Sequence, residues 1–296
     1  MSDQFASPVQ PLIETRPDAP DRRPGAPGFF PTNPNDPPWG VSQAILLWVV
    51  SIGLLFIVPL LAILPYVLYR VLAYGSVEGL GTDANLIFIS IISVLPAHIL
   101  TFLVVWVIVT NRGRRPFWQT LGWTWPENFG PWKAIGLAVA LFGLGGLITW
   151  LFGGSETQLD QIINSSLGAR FATAFLAAAT GPLVEELIYR GVLYSALQRA
   201  FGMLWAVVVV SLLFAAVHVL QYYKNLGVIV VIVILSVSLT LVRALTGKLL
   251  PSYVMHLVFN GIQAVFLVLQ PFVERPTGQK KAAAGFLIHS LSRLLA

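Results

Sequence analysis

Cysteine is absent from the 296 residues, which excludes a disulfide framework, a thiolate metal site and a cysteine nucleophile. Charge is scarce: Asp, Glu, Lys and Arg make up 10% of the chain, against about a quarter in soluble domains. Histidine occurs four times. No apolar run near the start reads as the h-region of a signal peptide. What fills the sequence is hydrophobic, 56% of residues with a mean hydropathy of +0.77. The expected fold class is therefore all-α, a polytopic membrane helix bundle, because helices satisfy their own backbone groups where water is absent. A net charge of +5 and a pI near 9.6 would suggest nucleic acid in a soluble protein. Here the basic residues sit in loops between apolar runs, as the positive-inside rule describes, so no nucleic-acid partner is expected.

Residues 1–40 hold ten prolines and almost no apolar clustering; such a segment buries too little to offset its ordering entropy and reads as a disordered cytoplasmic tail. The membrane domain occupies 41–296. Its spans are expected at about 42–69 (interrupted by Pro59 and Pro65), 86–110, 134–152, 171–197, 203–222, 226–245 and 250–270. An eighth crossing is left open in the short apolar piece 282–296. The loop after the second span carries Arg112, Arg114, Arg115 and Lys133 with Trp118, Trp123, Trp125 and Trp132, the composition of a cytoplasmic membrane interface. That places the N-terminus in the cytoplasm and the protein in the cell membrane. Gly136, Gly143, Gly145 and Gly146 suit close helix packing in the third span.

The fourth span contains GPLVEELIYRGVLY, residues 181–194. Each charge at bilayer depth costs about 2.5–3.5 kcal/mol on insertion scales, and Glu185, Glu186 and Arg190 fall within six residues. Glu186 and Arg190 stand at i and i+4 and can pair. Glu185 points about 100° away and has no local cation. Pro182 removes a backbone N–H and frees a carbonyl at the same depth.

Two further spans carry polar residues one turn apart: Phe214 with His218, and His256 with Asn260. If the chain turns near Phe201 and Gly202, Glu185 and His218 both lie about 24 Å from the turn, at one depth. A carboxylate and an imidazole there can polarise a water. A second histidine and an amide can donate to an oxyanion.

The ordered set EExxxR, FxxxH, HxxxN on three apolar spans resembles the CAAX protease and bacteriocin-processing family, also called CPBP or Abi, which includes the type II CAAX prenyl endopeptidases. The likeness covers a protease-like core at about 169–270. It implies an intramembrane endopeptidase in which Glu185 and His218 activate water, His256 and Asn260 stabilise the oxyanion, and Glu186 and Arg190 support the site. It implies membrane lipids and a lipidated protein or peptide substrate as partners.

Plainer readings stand beside these. Glu186 with Arg190 can be a helix-locking ion pair, and Asn260 can be interhelical glue. His98 reads as a packing or hydrogen-bonding residue, and His289 receives no role. Phe214 is expected to line the cavity above His218, and Tyr189, Tyr194, Gln198 and Gln263 are candidates for a substrate path. Glu185, His218 and His256 could hold a divalent metal such as zinc with one open position, although HExxH is absent; a metal-free site is favoured and no cofactor is expected. The competing class is a proton-coupled transporter or a non-catalytic membrane scaffold. A relay strings ionisable groups across the membrane, whereas these cluster at one level.

Overall fold

The computed structural model of the protein describes residues 33–153 and 157–273. Among them every regular element is helical. In order, α1 spans Val41–Tyr74, α2 Ala84–Ile92, α3 Val94–Val109, α4 Phe117–Thr120, α5 Pro131–Phe152, α6 Gln158–Ser165 and α7 Leu167–Phe175. A π-helical turn, Leu176–Thr180, leads into α8, Gly181–Glu186. A second, Leu187–Leu193, leads out of it into α9, Tyr194–Tyr222. The chain then forms α10, Leu226–Thr246, and α11, Leu250–Val273. The open question of an eighth crossing, and His289, lie outside the described residues.

Six stretches among the described residues are long and apolar enough to cross a membrane, where seven were expected. The difference lies in Leu167–Val219, one helical stretch of 53 residues that holds both the fourth and the fifth expected spans. It does not run straight. Gly202 breaks it with φ 82° and ψ 170°, a conformation open essentially to glycine alone. In a continuous helix Tyr189 and Phe214 would stand about 37 Å apart; their ring centroids lie 5.1 Å apart. The chain therefore doubles back at Gly202, where the sequence places the turn. Pro59 and Pro65 do not interrupt α1, which continues through both.

The first leg of that hairpin is the centre of the molecule. Residues 186–197 are buried without exception, the mark of a helix enclosed on all faces. Leu187, Leu193 and Tyr194 pack there with Leu47 of α1, Val105 and Val109 of α3, and Ala206 and Phe214 of α9. A second core joins α5, α10 and α11 through Ala134, Ala138, Leu239, Met255 and Phe259. Of the four glycines expected to tighten α5, Gly145 makes the close contact: a methyl group there would stand 3.1 Å from Val231. Gly136 and Gly143 face open space. The crossing is completed by Gly227 of α10, where a methyl group would stand 3.3 Å from the Thr149 Cα.

Residues 33–40 are not part of a loose tail; the rest of the expected tail, residues 1–32, lies outside the described residues. This segment is a strap laid over the turns at the basic end. Trp39 is 2% exposed and donates Nε1–H to the Val192 carbonyl at 3.0 Å. Arg243 donates to Asn35 Oδ1 and the Pro34 carbonyl, both at 2.9 Å. Arg199 donates to the carbonyls of Pro37 and Trp39. The guanidiniums of these two arginines hold the strap.

Candidate active site

Glu185 and Glu186 stand at the end of α8, between the two π turns. The first turn has a local cause. Gly181 N–H bonds to the Leu176 carbonyl, five residues back, and Pro182, next in that register, has no N–H to give. The Ala177 carbonyl is thereby freed, and Asn260 Nδ2 of α11 donates to it at 2.9 Å. Single π turns of this kind gather at functional sites.

Glu186 is fully buried and meets two cationic or hydrogen-bonding partners. Its Oε1 accepts from Arg190 at 2.9 Å and from His256 Nδ1 at 3.1 Å. Arg190, also fully buried, donates further to Thr240 Oγ1 at 3.2 Å and to the Ser236 carbonyl and Oγ at 3.0 and 2.8 Å. Its guanidinium lies 4.7 Å from the Phe214 ring centroid. The i, i+4 pair expected from sequence is thus present, and it does more than lock helices. By holding His256 at Nδ1, Glu186 aims Nε2 at Glu185, the arrangement by which a carboxylate sets an imidazole's tautomer and orientation.

Glu185 is the more accessible carboxylate, its side chain 30% exposed. Its Oε2 stands 3.7 Å from His256 Nε2, beyond a direct hydrogen bond and too close for a water between them, so a water that meets both sits beside the pair. The sequence pairs Glu185 with His218; in the structure the imidazole beside it is His256, and no ion pair joins Glu185 to His218. The two do share a depth, as the hairpin requires. Depth, however, leaves rotation about each helix axis open. His218 turns so that Nδ1 bonds its own Phe214 carbonyl at 2.8 Å. Since a carbonyl only accepts, Nδ1 carries a proton and Nε2 points away from this bond. Its ring stacks on Phe214 at 4.7 Å, and Phe214 meets His256 edge-on at 6.0 Å. Phe214 is therefore a wedge between the two imidazoles, itself 2% exposed, and not the lining of an open cavity. Tyr189 and Tyr194 are likewise packed in the core and line no path.

Among the described residues no group of three or more His, Cys, Asp or Glu side chains is placed to hold a metal ion. Glu185, His218 and His256 do not converge as three ligands. One residue that the sequence left without a site role stands close by. His98 of α3 bonds Thr180 Oγ1 at 2.8 Å, on the π turn that precedes α8. The available signal was its place in an apolar span, where an ionisable side chain is a functional candidate by default.

Residues 166–262 match the family model described as type II CAAX prenyl endopeptidase Rce1-like. Over that segment the chain is similar to the CAAX protease family. The match spans α7 through most of α11 and so contains all three motifs. A Bacillus subtilis (strain 168) protein named "Putative membrane peptidase YdiL" is 23% identical over 225 residues, covering 72% of this chain and 88% of its own. No solved structure matches the chain. The matched segment runs from α7 through the hairpin and α10 into α11. The protein is an integral membrane protein, and a membrane peptidase is the activity that both likenesses support.

Proposed function

We propose that the protein hydrolyses a peptide bond in a membrane-associated peptide or lipidated protein, with Glu185 as the carboxylate that activates water. The observation that carries this reading is His256 held between two carboxylates, Glu186 on Nδ1 and Glu185 at 3.7 Å from Nε2, close enough for one water beside the pair to meet both. Glu185 takes a proton from the bridging water as it attacks the scissile carbonyl. The resulting oxyanion receives hydrogen bonds from protonated His256 and from Asn260, whose second amide N–H is left over after the bond to Ala177. Glu185 then returns that proton to the leaving amine as the C–N bond breaks, and His218 Nε2, turned away from the Phe214 bond, is a second group that could carry a proton there. Arg112 and Arg114, both exposed, support a cytoplasmic reading of the basic end.

The test is cleavage of a quenched fluorescent peptide, with and without a prenyl group, by the purified full-length protein in detergent micelles. Glu185→Gln should lower kcat by about 10²–10⁴, the usual contribution of a general base. His218→Ala should follow in the same direction. Cleavage by Glu185→Gln at the wild-type rate would sink the mechanism. Exhaustive chelation separates the metal-dependent alternative, for which activity would vanish and return with zinc.

A further inference from the structure

The backbone from Leu176 to Pro182 has lost its regular helical ladder, and two side chains from other helices hold it in place. Asn260 of α11 takes the freed Ala177 carbonyl. His98 of α3 takes the Thr180 hydroxyl three residues later. Glu185 depends on this segment directly. A methyl group at Gly181 would stand 2.9 Å from the Leu176 carbonyl oxygen and 4.0 Å from Glu185 Oε1, so the carboxylate lies back over Gly181, next to Thr180. Side chains on a helix lean toward its N-terminus, which is why the turn before α8 forms the floor under Glu185. The His98 ring is half-buried.

We propose that His98 is a positioning residue of the active site: by pinning Thr180 it fixes the π turn that aims the Glu185 carboxylate. The assignment rests on the reading of Glu185 as the water-activating group. His98 then works from α3 as Asn260 works from α11, and α3 becomes part of the catalytic apparatus although it lies outside the segment that matches the family. A histidine that merely satisfied its own polar atoms in the core would support folding and leave the chemical step alone.

The experiment uses the full-length protein in micelles and the quenched peptide, with kcat, KM and thermal unfolding recorded for each variant. His98→Ala and Thr180→Val should each lower kcat about tenfold, the worth of one hydrogen bond at its upper end, with KM changed less than about twofold. The double variant should lose no more than either single change, because both remove the same bond. His98→Asn, whose amide reaches the position of Nδ1, should recover most of the loss. If His98→Ala proves unfolded, Thr180→Val and His98→Asn carry the test in its place. Unchanged kcat in Thr180→Val, additive losses in the double variant, or no recovery in His98→Asn would each overturn the proposal. Glu185→Gln serves as the control. If it is inactive while Thr180→Val is normal, only the role of His98 falls. If it is fully active, the reading of Glu185 falls with it.

Discussion

Replacing Arg190 by methionine keeps the approximate volume of the side chain and removes its charge and all its donors. The wild-type guanidinium is fully buried and makes four hydrogen bonds, one to Glu186, one to Thr240 and two to Ser236. Thr240 and Ser236 keep a bond to each other at 2.7 Å, so their loss is small. Glu186 is the sufferer: a carboxylate with no exposure loses its guanidinium and keeps the His256 imidazole. Breaking a buried pair from one side costs about 3–5 kcal/mol, a large share of the roughly 5–15 kcal/mol that holds a domain together. Glu186→Leu leaves the guanidinium uncompensated and should cost a similar amount. The double variant, Glu186→Leu with Arg190→Met, has no orphaned charge. Its remaining penalty is the unpaired Nδ1–H of His256, worth about 1–3 kcal/mol. The double variant should therefore be more stable than either single one. The assay is SDS unfolding in mixed micelles, followed by the fluorescence of the protein's nine tryptophans. Should the two single losses simply add, or should Arg190→Met cost under about 1 kcal/mol, the claim that Arg190 holds the Glu186 charge is refuted.

Three further outcomes are expected. Gly202→Ala meets no neighbour, since nothing lies within 4 Å of an added methyl group, so its cost of about 1–3 kcal/mol in the same assay comes from the backbone conformation alone. Trp39→Ala removes a buried indole and its bond to Val192, for a loss of about 3–5 kcal/mol and faster proteolytic cleavage within residues 33–40. Asp83, outside the spans, caps α2; the Leu86 N–H foremost, then Tyr66, Asn85 and Arg70, hold its carboxyl below the ordinary value of 3.8. A depressed pKa adds stability above the unfolded value and loses it as pH falls through the folded one. Thermal unfolding should thus drop as pH is lowered below about 4, and Asp83→Asn should flatten that limb; an identical pH profile in the variant would remove Asp83 from the account.

The sequence by itself determined the membrane class, the hairpin and the depth of the site. Composition decides the solvent, because a chain with this little charge and this much apolar surface has only the bilayer to face. Helical rise converts sequence distance into depth, so Glu185 and His218 could be set level by counting from Gly202. The i, i+4 rule likewise paired Glu186 with Arg190. The tertiary structure decided what depth leaves open, the rotation of each helix about its axis. That rotation put His256, not His218, beside Glu185 and drove Phe214 between the two imidazoles. It also decided where the backbone departs from α-helix, since Pro182 announces a missing N–H and cannot say that Asn260 and His98 will take up the slack. Contacts between residues far apart in sequence made a strap of residues 33–40, whose proline content is that of a loose tail. Two arginines, Arg199 and Arg243, stood ready to receive its carbonyls, and no local pattern records such a match.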